Sequence, residues 1–237
     1  QGVPSDPLTI ARMLPIPVQH GLQAGDEILR IDGQILPLVQ NAAGFYTVLR
    51  DLPEQPSLRY AIRRNGVDYQ VQGPFPLPPY VSQLAPQSAA YASGMKVGDV
   101  ITAVDGTAIY SFNQLKERVE TSNGSTLALK VWREGAELEI ELTPRRVDEP
   151  TADNSFVTHW RIGIIGSEVF EPATESPGLW LAVEVSVART LRIIEGSLSG
   201  MYHMVTGAIS SCNLSGPIGI AQVSGAMASQ GSQNFII

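Results

Sequence analysis

Chemistry in a polypeptide begins with side chains that can hold a metal, move a proton or attack a carbonyl, and in this sequence such side chains stand apart from one another. The histidines are His20, His159 and His203. None has a second histidine four positions away or a glutamate beside it, the spacing by which one helix face offers two imidazoles and a base to zinc. Ser215-Gly216-Pro217 places a hydroxyl at a Gly-Pro turn. The glycine that would precede Asn213 and the double glycine after the serine are missing, and no His and Asp stand where a triad would need them. A Ser–Lys pairing fares no better, because Lys96, Lys116 and Lys130 all fall inside the elements of an internal repeat. The single cysteine, Cys212, has no partner for an internal disulfide. The expectation is a chain with no catalytic residue, no metal ligand and no cofactor of its own.

The elements around these residues are laid out twice. Gly21-Leu-Gln-Ala-Gly25-Asp26-Glu-Ile28-Leu-Arg-Ile31-Asp32-Gly33 recurs as Gly94-Met-Lys-Val-Gly98-Asp99-Val-Ile101-Thr-Ala-Val104-Asp105-Gly106, 73 positions on. Leu58-Arg-Tyr-Ala-Ile-Arg-Arg-Asn-Gly66 parallels Leu127-Ala-Leu-Lys-Val-Trp-Arg-Glu-Gly135 at 69 positions, which puts the length difference in the loop between. Each copy predicts a strand with Ile28 and Ile31, or Ile101 and Val104, turned inward. An Asp-Gly turn closes it, because glycine takes positive φ without a Cβ clash. A helix follows, capped by Asn41 over 42–50 and by Ser111 over 112–121. Phe112, Leu115 and Val119 form one inward stripe, and a hairpin turns at Asn65-Gly66 and at Glu134-Gly135. Strand, helix and hairpin make a small, partly open, mostly β barrel with a capping helix, an α+β fold.

Composition sets the outer limits. A 237-residue chain that is 43% apolar and 16% charged is long enough to bury one or two cores. Its 17 Pro and 22 Gly favour turns and short strands, and a net charge of −7 argues against nucleic-acid binding. No apolar run of about 18 residues crosses the chain, as expected of a soluble protein or of a piece lying between two transmembrane helices. Residues 144–158 read as a linker. From Gly196 to Ile237 there is no Asp, Glu, Lys or Arg. Val187, Leu191, Ile194, Leu198, Met201 and Val205 recur every three or four positions, which predicts an amphipathic helix over about 179–209. Such a stripe can dock on its own domain, and the missing charges favour a membrane surface or a membrane helix instead.

Two motifs carry a family resemblance. Leu84-Ala-Pro86-x-Ser88-Ala-Ala-x-x-Ser-Gly94-Met-x-x-Gly98-Asp99-x-Ile101-x-x-Val104-Asp105-Gly106 resembles the bacterial, circularly permuted PDZ domain. In the first copy Leu14-Pro-Ile-Pro-Val-Gln-His20 stands in place of the Pro-x-Ser-Ala-Ala turn. Asn213-Leu-Ser215-Gly216-Pro217-Ile-Gly-Ile220-Ala-Gln222, with Met204-Val-Thr-Gly207 before it, resembles the segment that follows the second PDZ domain in bacterial site-two proteases of the regulator of sigma-E type.

That resemblance implies a fold of two tandem, circularly permuted PDZ domains, residues 1–73 and 74–146. A linker with a candidate closing strand (147–178) and a membrane-associated helical and Gly-Pro segment (179–237) would follow. It implies a parent enzyme, a membrane-embedded metalloendopeptidase whose zinc is held by H-E-x-x-H and L-D-G motifs absent from this sequence. The implied setting is periplasmic, on an inner-membrane protein that acts in regulated intramembrane proteolysis and the stress response. The implied partners are membrane-protein substrates such as an anti-sigma factor, the protease's own transmembrane core and the membrane surface.

A PDZ domain takes an extended C-terminal peptide by strand addition beside its helix. The candidates for such a groove are Gln114, Leu115 and Arg118 in the second copy and Ala42, Tyr46 and Leu49 in the first, with Phe45 and Phe112 as core. Pro74-Phe-Pro76-Leu-Pro78-Pro79 removes N–H donors from an edge. Ile162-Gly163-Ile164 has the form of a carboxylate-binding loop and equally of a closing strand. Leu191, Ile194, Leu198, Met201, Val205, Asn213, Gly216 and Pro217 are the candidates for facing the membrane or the active site. The region would regulate substrate access by reading C-termini or by steric exclusion, the proline edge favouring exclusion. The alternative is a non-enzymatic tandem PDZ scaffold or secretion component that binds protein partners.

Overall fold

Each copy of the repeat is organised by the aspartate of its Gly-Asp step. Asp26 and Asp99 are both 0% exposed, and an arginine from the following hairpin forks onto each. Arg64 Nε and Nη2 donate to Asp26 at 2.6 and 2.8 Å, and Arg133 Nε and Nη2 donate to Asp99 at 2.7 and 2.8 Å. The same Nη2 atoms reach the Gly21 and Gly94 carbonyls. The amides of Gln23 and Lys96 donate to the carboxylates at 2.8 Å. A charge can be buried only when it is paired and hydrogen-bonded in this way.

The computed structural model describes residues 3–4, 7–36, 42–150, 156–175, 186–187, 190–191 and 193–198. Residues 4–174 form one compact unit, and residues 1–3 with 175–237 form another. The first unit holds two hydrophobic cores, and so two lobes. After the short strand β1 (Val3–Pro4), the first lobe contains β2 (Ile10–Met13), β3 (Glu27–Ile31), α1 (Ala42–Asp51), β4 (Leu58–Arg64) and β5 (Val67–Gly73). The second contains β6 (Gln83–Leu84), α2 (Ala89–Ala92), β7 (Val100–Val104), β8 (Thr107–Ala108), α3 (Phe112–Thr121), β9 (Leu127–Arg133) and β10 (Ala136–Leu142). Then come β11 (Arg145–Pro150), β12 (Phe156–Arg161), β13 (Ile164–Ile165), β14 (Phe170–Pro172) and β15 (Thr174–Glu175).

The sheets run β3-β4-β5 and β10-β9-β7-β8. The two hairpins match in register, Arg64 opposite Val67 and Arg133 opposite Ala136. Their turns have positive φ at both central residues, 53° and 78° at Asn65-Gly66 and 49° and 93° at Glu134-Gly135. That conformation matches the twist of the strands it joins. Tyr60, Ile62 and Leu49 fill the first core, and Ile101, Leu115 and Val131 fill the second.

The strands that close the lobes come in reversed order. In the second lobe β13 pairs with β6, and Ala85 N donates to Gly163 O at 2.9 Å. In the first lobe β14 pairs with β2, and Leu14 N makes the equivalent bond to Val169 O at 2.8 Å. Ile162 belongs to the second core, whereas Val169 and Phe170 belong to the first. Residues 162–166 thus close the second lobe and 168–172 the first, so the second lobe is inserted into the first. The sequence reading sets the copies end to end, because pairing between distant strands leaves no period in the chain.

Two local expectations also change. The stretch 144–158 is not a linker: β11 and β12 pair as a hairpin, Arg145 opposite Arg161 through Pro150 opposite Phe156. Both faces carry exposed residues, among them Val147 and Val157, so the apolar alternation that marks a half-buried strand is absent. The proline-rich segment 74–79 is no ligand edge. It is mostly buried and acts as an acceptor strap. Pro74 O takes the Tyr60 hydroxyl at 2.6 Å. Pro76 O takes Val169 N, Leu77 O takes Phe112 N and Pro79 O takes Ile101 N, at 2.8 to 2.9 Å.

In the other unit, residues 186–187, 190–191 and 193–198 are helical. Val187, Leu191, Ile193, Ile194 and Leu198 are 48 to 68% exposed. Met201, Val205, Asn213, Gly216 and Pro217 lie outside the described residues. Among those described, no helix is long and apolar enough to cross a membrane.

The buried pairs give a direct test. Arg133→Ala leaves the Asp99 charge buried and should lower the unfolding free energy by about 3 kcal/mol. The double variant Asp99→Asn/Arg133→Met should recover part of that loss, as read by urea denaturation.

Candidate peptide groove

The groove lies in the second lobe and starts from a helix cap. Ser111 Oγ accepts from Gln114 N at 2.9 Å, and Gln114 Oε1 accepts from Ser111 N at 3.3 Å and Tyr110 N at 2.7 Å. This capping box fixes the start of α3. One turn on, Leu115 and Val119 point inward and are buried. Opposite α3 runs the segment from Trp160 to Gly166. Between them is a cleft of about 120 Å³, lined by Leu115, Lys116 and Val119 on one side and by Trp160 to Ile164 on the other. At its far end the cleft is shut, because the Phe112 ring lies so close over Gly166 that a Cβ there would sit 2.6 Å from Phe112 Cδ2.

Gly163 is required by geometry. Its φ is +79°, and a Cβ at this position would overlap the Ser88 side chain. Ser88 in turn caps α2 by accepting from Tyr91 N at 3.1 Å. The Pro-x-Ser-Ala-Ala turn therefore forms the seat on which the apolar-Gly-apolar loop rests.

Charge gathers at the mouth of the cleft. Arg161 forks onto Glu149 at 2.6 and 2.7 Å and meets Glu120 at 2.5 Å. The hydrogen bonds from Arg161 hold both carboxylates below their usual range. Trp160 stacks over Gly124 and under the Arg146 guanidinium, 5.9 Å from the ring centre. His159 Nδ1 stands 3.5 Å from Glu120. This is where an imidazole meets carboxylates, and the residues do not fit a zinc ion, because the Arg161 guanidinium occupies both acids. Among the described residues no group of three or more His, Cys, Asp or Glu is gathered as a metal site would need.

The first lobe repeats the scaffold, with α1 in the place of α3. Phe45 and Leu49 of α1 are buried, where Leu115 and Val119 stand in α3. Tyr46 reaches across, its hydroxyl donating to Glu168 Oε1 at 2.8 Å. Burial, then this bond, raise the Tyr46 pKa to about 12. The position matching Gly163 is Val169, whose amide is spent on Pro76 O at 2.8 Å. Of the sequence candidates, then, Leu115, Ile162, Gly163 and Ile164 meet in one cleft. Gln114 is taken up in the helix cap, and Arg118 is exposed outside the cleft. Leu49 is core, Tyr46 spans the first lobe, and Ala42 begins α1. Sequence reasoning missed Lys116, Trp160, Arg161 and the two glutamates. The adjacency of Arg161 to Ile162-Gly163-Ile164 was the available signal.

Comparison with known proteins agrees with this geometry. Residues 80–133 match the PDZ domain family. A protein of Agrobacterium fabrum that bears a zinc metalloprotease name is 33% identical over 159 residues, covering 65% of this chain and 41% of that protein. One from Xylella fastidiosa with the same kind of name is 26% identical over 259 residues, covering 96% of this chain and 55% of its own length. The regulator of sigma-E protease RseP of Salmonella typhimurium is 28% identical over 157 residues, covering 65% and 34%. The chain thus spans between about a third and just over half of the length of the relatives it matches. It is similar to bacterial proteins that bear zinc metalloprotease names, along a length that includes the PDZ match.

Proposed function

We propose that this chain is the extracytoplasmic, substrate-handling region of a membrane-embedded zinc metalloprotease, and that it regulates which substrates reach the zinc in regulated intramembrane proteolysis. The observation that carries this reading is the apolar-lined cleft of about 120 Å³ between α3 and Trp160–Ile164, which lies partly within the PDZ match. Two circularly permuted PDZ copies, the second inserted into the first, would supply the scaffold. The zinc and its ligands belong to the parent enzyme, as the names of the relatives support, and no step of that hydrolysis is assigned to residues of this chain. The setting would be the periplasmic side of an inner membrane. The substrate would be a membrane protein such as an anti-sigma factor, in keeping with a relative named as a regulator of sigma-E protease.

In the peptide-reading mode, an extended segment adds beside Ile164–Gly166 and its terminal side chain enters between Leu115 and Val119. Its carboxylate then faces the Ile162-Gly163-Ile164 loop with Arg161 and Lys116 near. A small contact of this kind binds in the micromolar range. Steric exclusion has its own support: Phe112 covers Gly166 at one end of the groove, and Tyr46 ties the first lobe's helix to Glu168. The exposed apolar residues from Val187 to Leu198, next to a stretch without charges, favour contact with the membrane or with the protease's transmembrane helices, and Met201, Val205 and the Asn213–Pro217 segment would continue that contact toward the active-site entrance.

Isothermal titration with peptides ending in valine should give micromolar binding that is lost on amidation of the C-terminus and lost in Gly163→Ala. Binding that survives both changes would remove the groove from the mechanism, and absence of any binding would leave exclusion as the mode. For the helical segment, Leu191→Ser, Ile194→Ser and Leu198→Ser together should reduce self-association and co-sedimentation with vesicles of anionic and zwitterionic lipid, while both lobes keep their melting transitions. Loss of the second lobe's transition in that variant would show that the helix is ordinary core.

A further inference from the structure

We infer that residues 162–172 couple the two lobes, so that Tyr46 in the first lobe governs the opening of the groove in the second; this rests on the reading of that groove as a peptide site. The segment is held at both ends. Gly163 O accepts from Ala85 N of the second lobe, and six residues later Val169 O accepts from Leu14 N of the first, at 2.9 and 2.8 Å. A stretch this short has little slack, because each residue spans at most about 3.3–3.6 Å. Between these anchors Ser82 Oγ donates to the carbonyls of Ile165 and Gly166 at 2.8 and 3.0 Å. Phe112 covers Gly166, and Tyr46 holds Glu168.

A strand added beside Ile164–Gly166 has to lift Phe112 from Gly166. That movement is transmitted in two ways. Along the chain, Gly166 is followed at once by Ser167, Glu168 and Val169. Through the proline strap, the amides of Phe112 and Val169 are bonded to neighbouring carbonyls, Leu77 O and Pro76 O. α3 and the closing strand of the first lobe therefore share one support. Ser167, at the middle of the segment, has a buried hydroxyl without a hydrogen-bond partner. Such a group marks a place where native structure stores an unmet contact, and displacement of the segment gives that hydroxyl access to one.

Amide hydrogen exchange followed by mass spectrometry tests the coupling without a peptide. Tyr46→Phe removes the bond to Glu168 and should speed exchange several-fold in 82–85 and 162–166, at the second lobe's groove. Phe112→Ala should in return speed exchange in 10–14 and 168–170. Ser57→Ala, which removes a first-lobe bond to Gln72 away from the segment, should leave 162–166 unchanged. If the effect of Tyr46→Phe stays within the first lobe, or spreads equally to β9 and β10, the coupling is refuted. Neither outcome depends on whether valine-ended peptides bind.

Discussion

A carboxylate at 0% exposure is tolerated only where every oxygen has a partner, and this requirement is met twice in the molecule by the same set of bonds. The aspartate after Gly25 or Gly98 sits under a loop whose amide it accepts, and the arginine at the end of the next long strand covers it. Because the fork also reaches the carbonyl of Gly21 or Gly94, one side chain fixes three things: the loop, the strand that follows it and the end of the hairpin. Replacing such a pair by apolar groups need not cost stability, whereas removing one member does. The pair therefore serves to specify one arrangement of loop against hairpin. From that arrangement follow the direction of β7, the placement of α3 across the sheet and hence the wall of the cleft.

The second constraint is supplied by prolines. A segment with few N–H groups cannot donate, and here it does not need to, since its carbonyls receive bonds from the Tyr60 hydroxyl and from the amides of Val169, Phe112 and Ile101. Buried carbonyls without partners would be costly; each here is given one from a different element. The strap thus lies between the lobes as a shared support, and the groove edge is supplied by residues 162–166.

Much of this was legible in the sequence wherever the signal was local. The Asp-Gly, Asn-Gly and Glu-Gly turns, the Ser111 cap and the inward stripe of Leu115 and Val119 all depend on neighbours within a few positions, and they fall where expected. The interleaving of the closing strands was not legible, because Gly163 and Val169 carry nothing that says which of two similar β edges each will meet. The charge cluster at Arg161 was missed for a related reason. Glu120, Glu149 and Arg161 are spread over three elements, and one of those, β11, lacks the alternation that would have marked it as a strand. The proline segment is not legible because a loss of donors reads as a blocked edge, while its carbonyls are used in the interior.

The insertion of one lobe into the other also orders the history of the chain. Synthesis delivers residues 8–75 first, but Phe170, which fills part of their core, is made almost last in that unit. Until then β2 has no partner along the side that β14 will take, and an unpaired edge invites the wrong strand. The second lobe meets no such delay, since its closing residues end at Gly166. The later half of the sequence is thus equipped to fold earlier, and the strand that follows it carries the finished lobe back onto the waiting one. Long-range closure of this kind is slow compared with local pairing. The lobe that receives no peptide in this reading is also the last to acquire its shape.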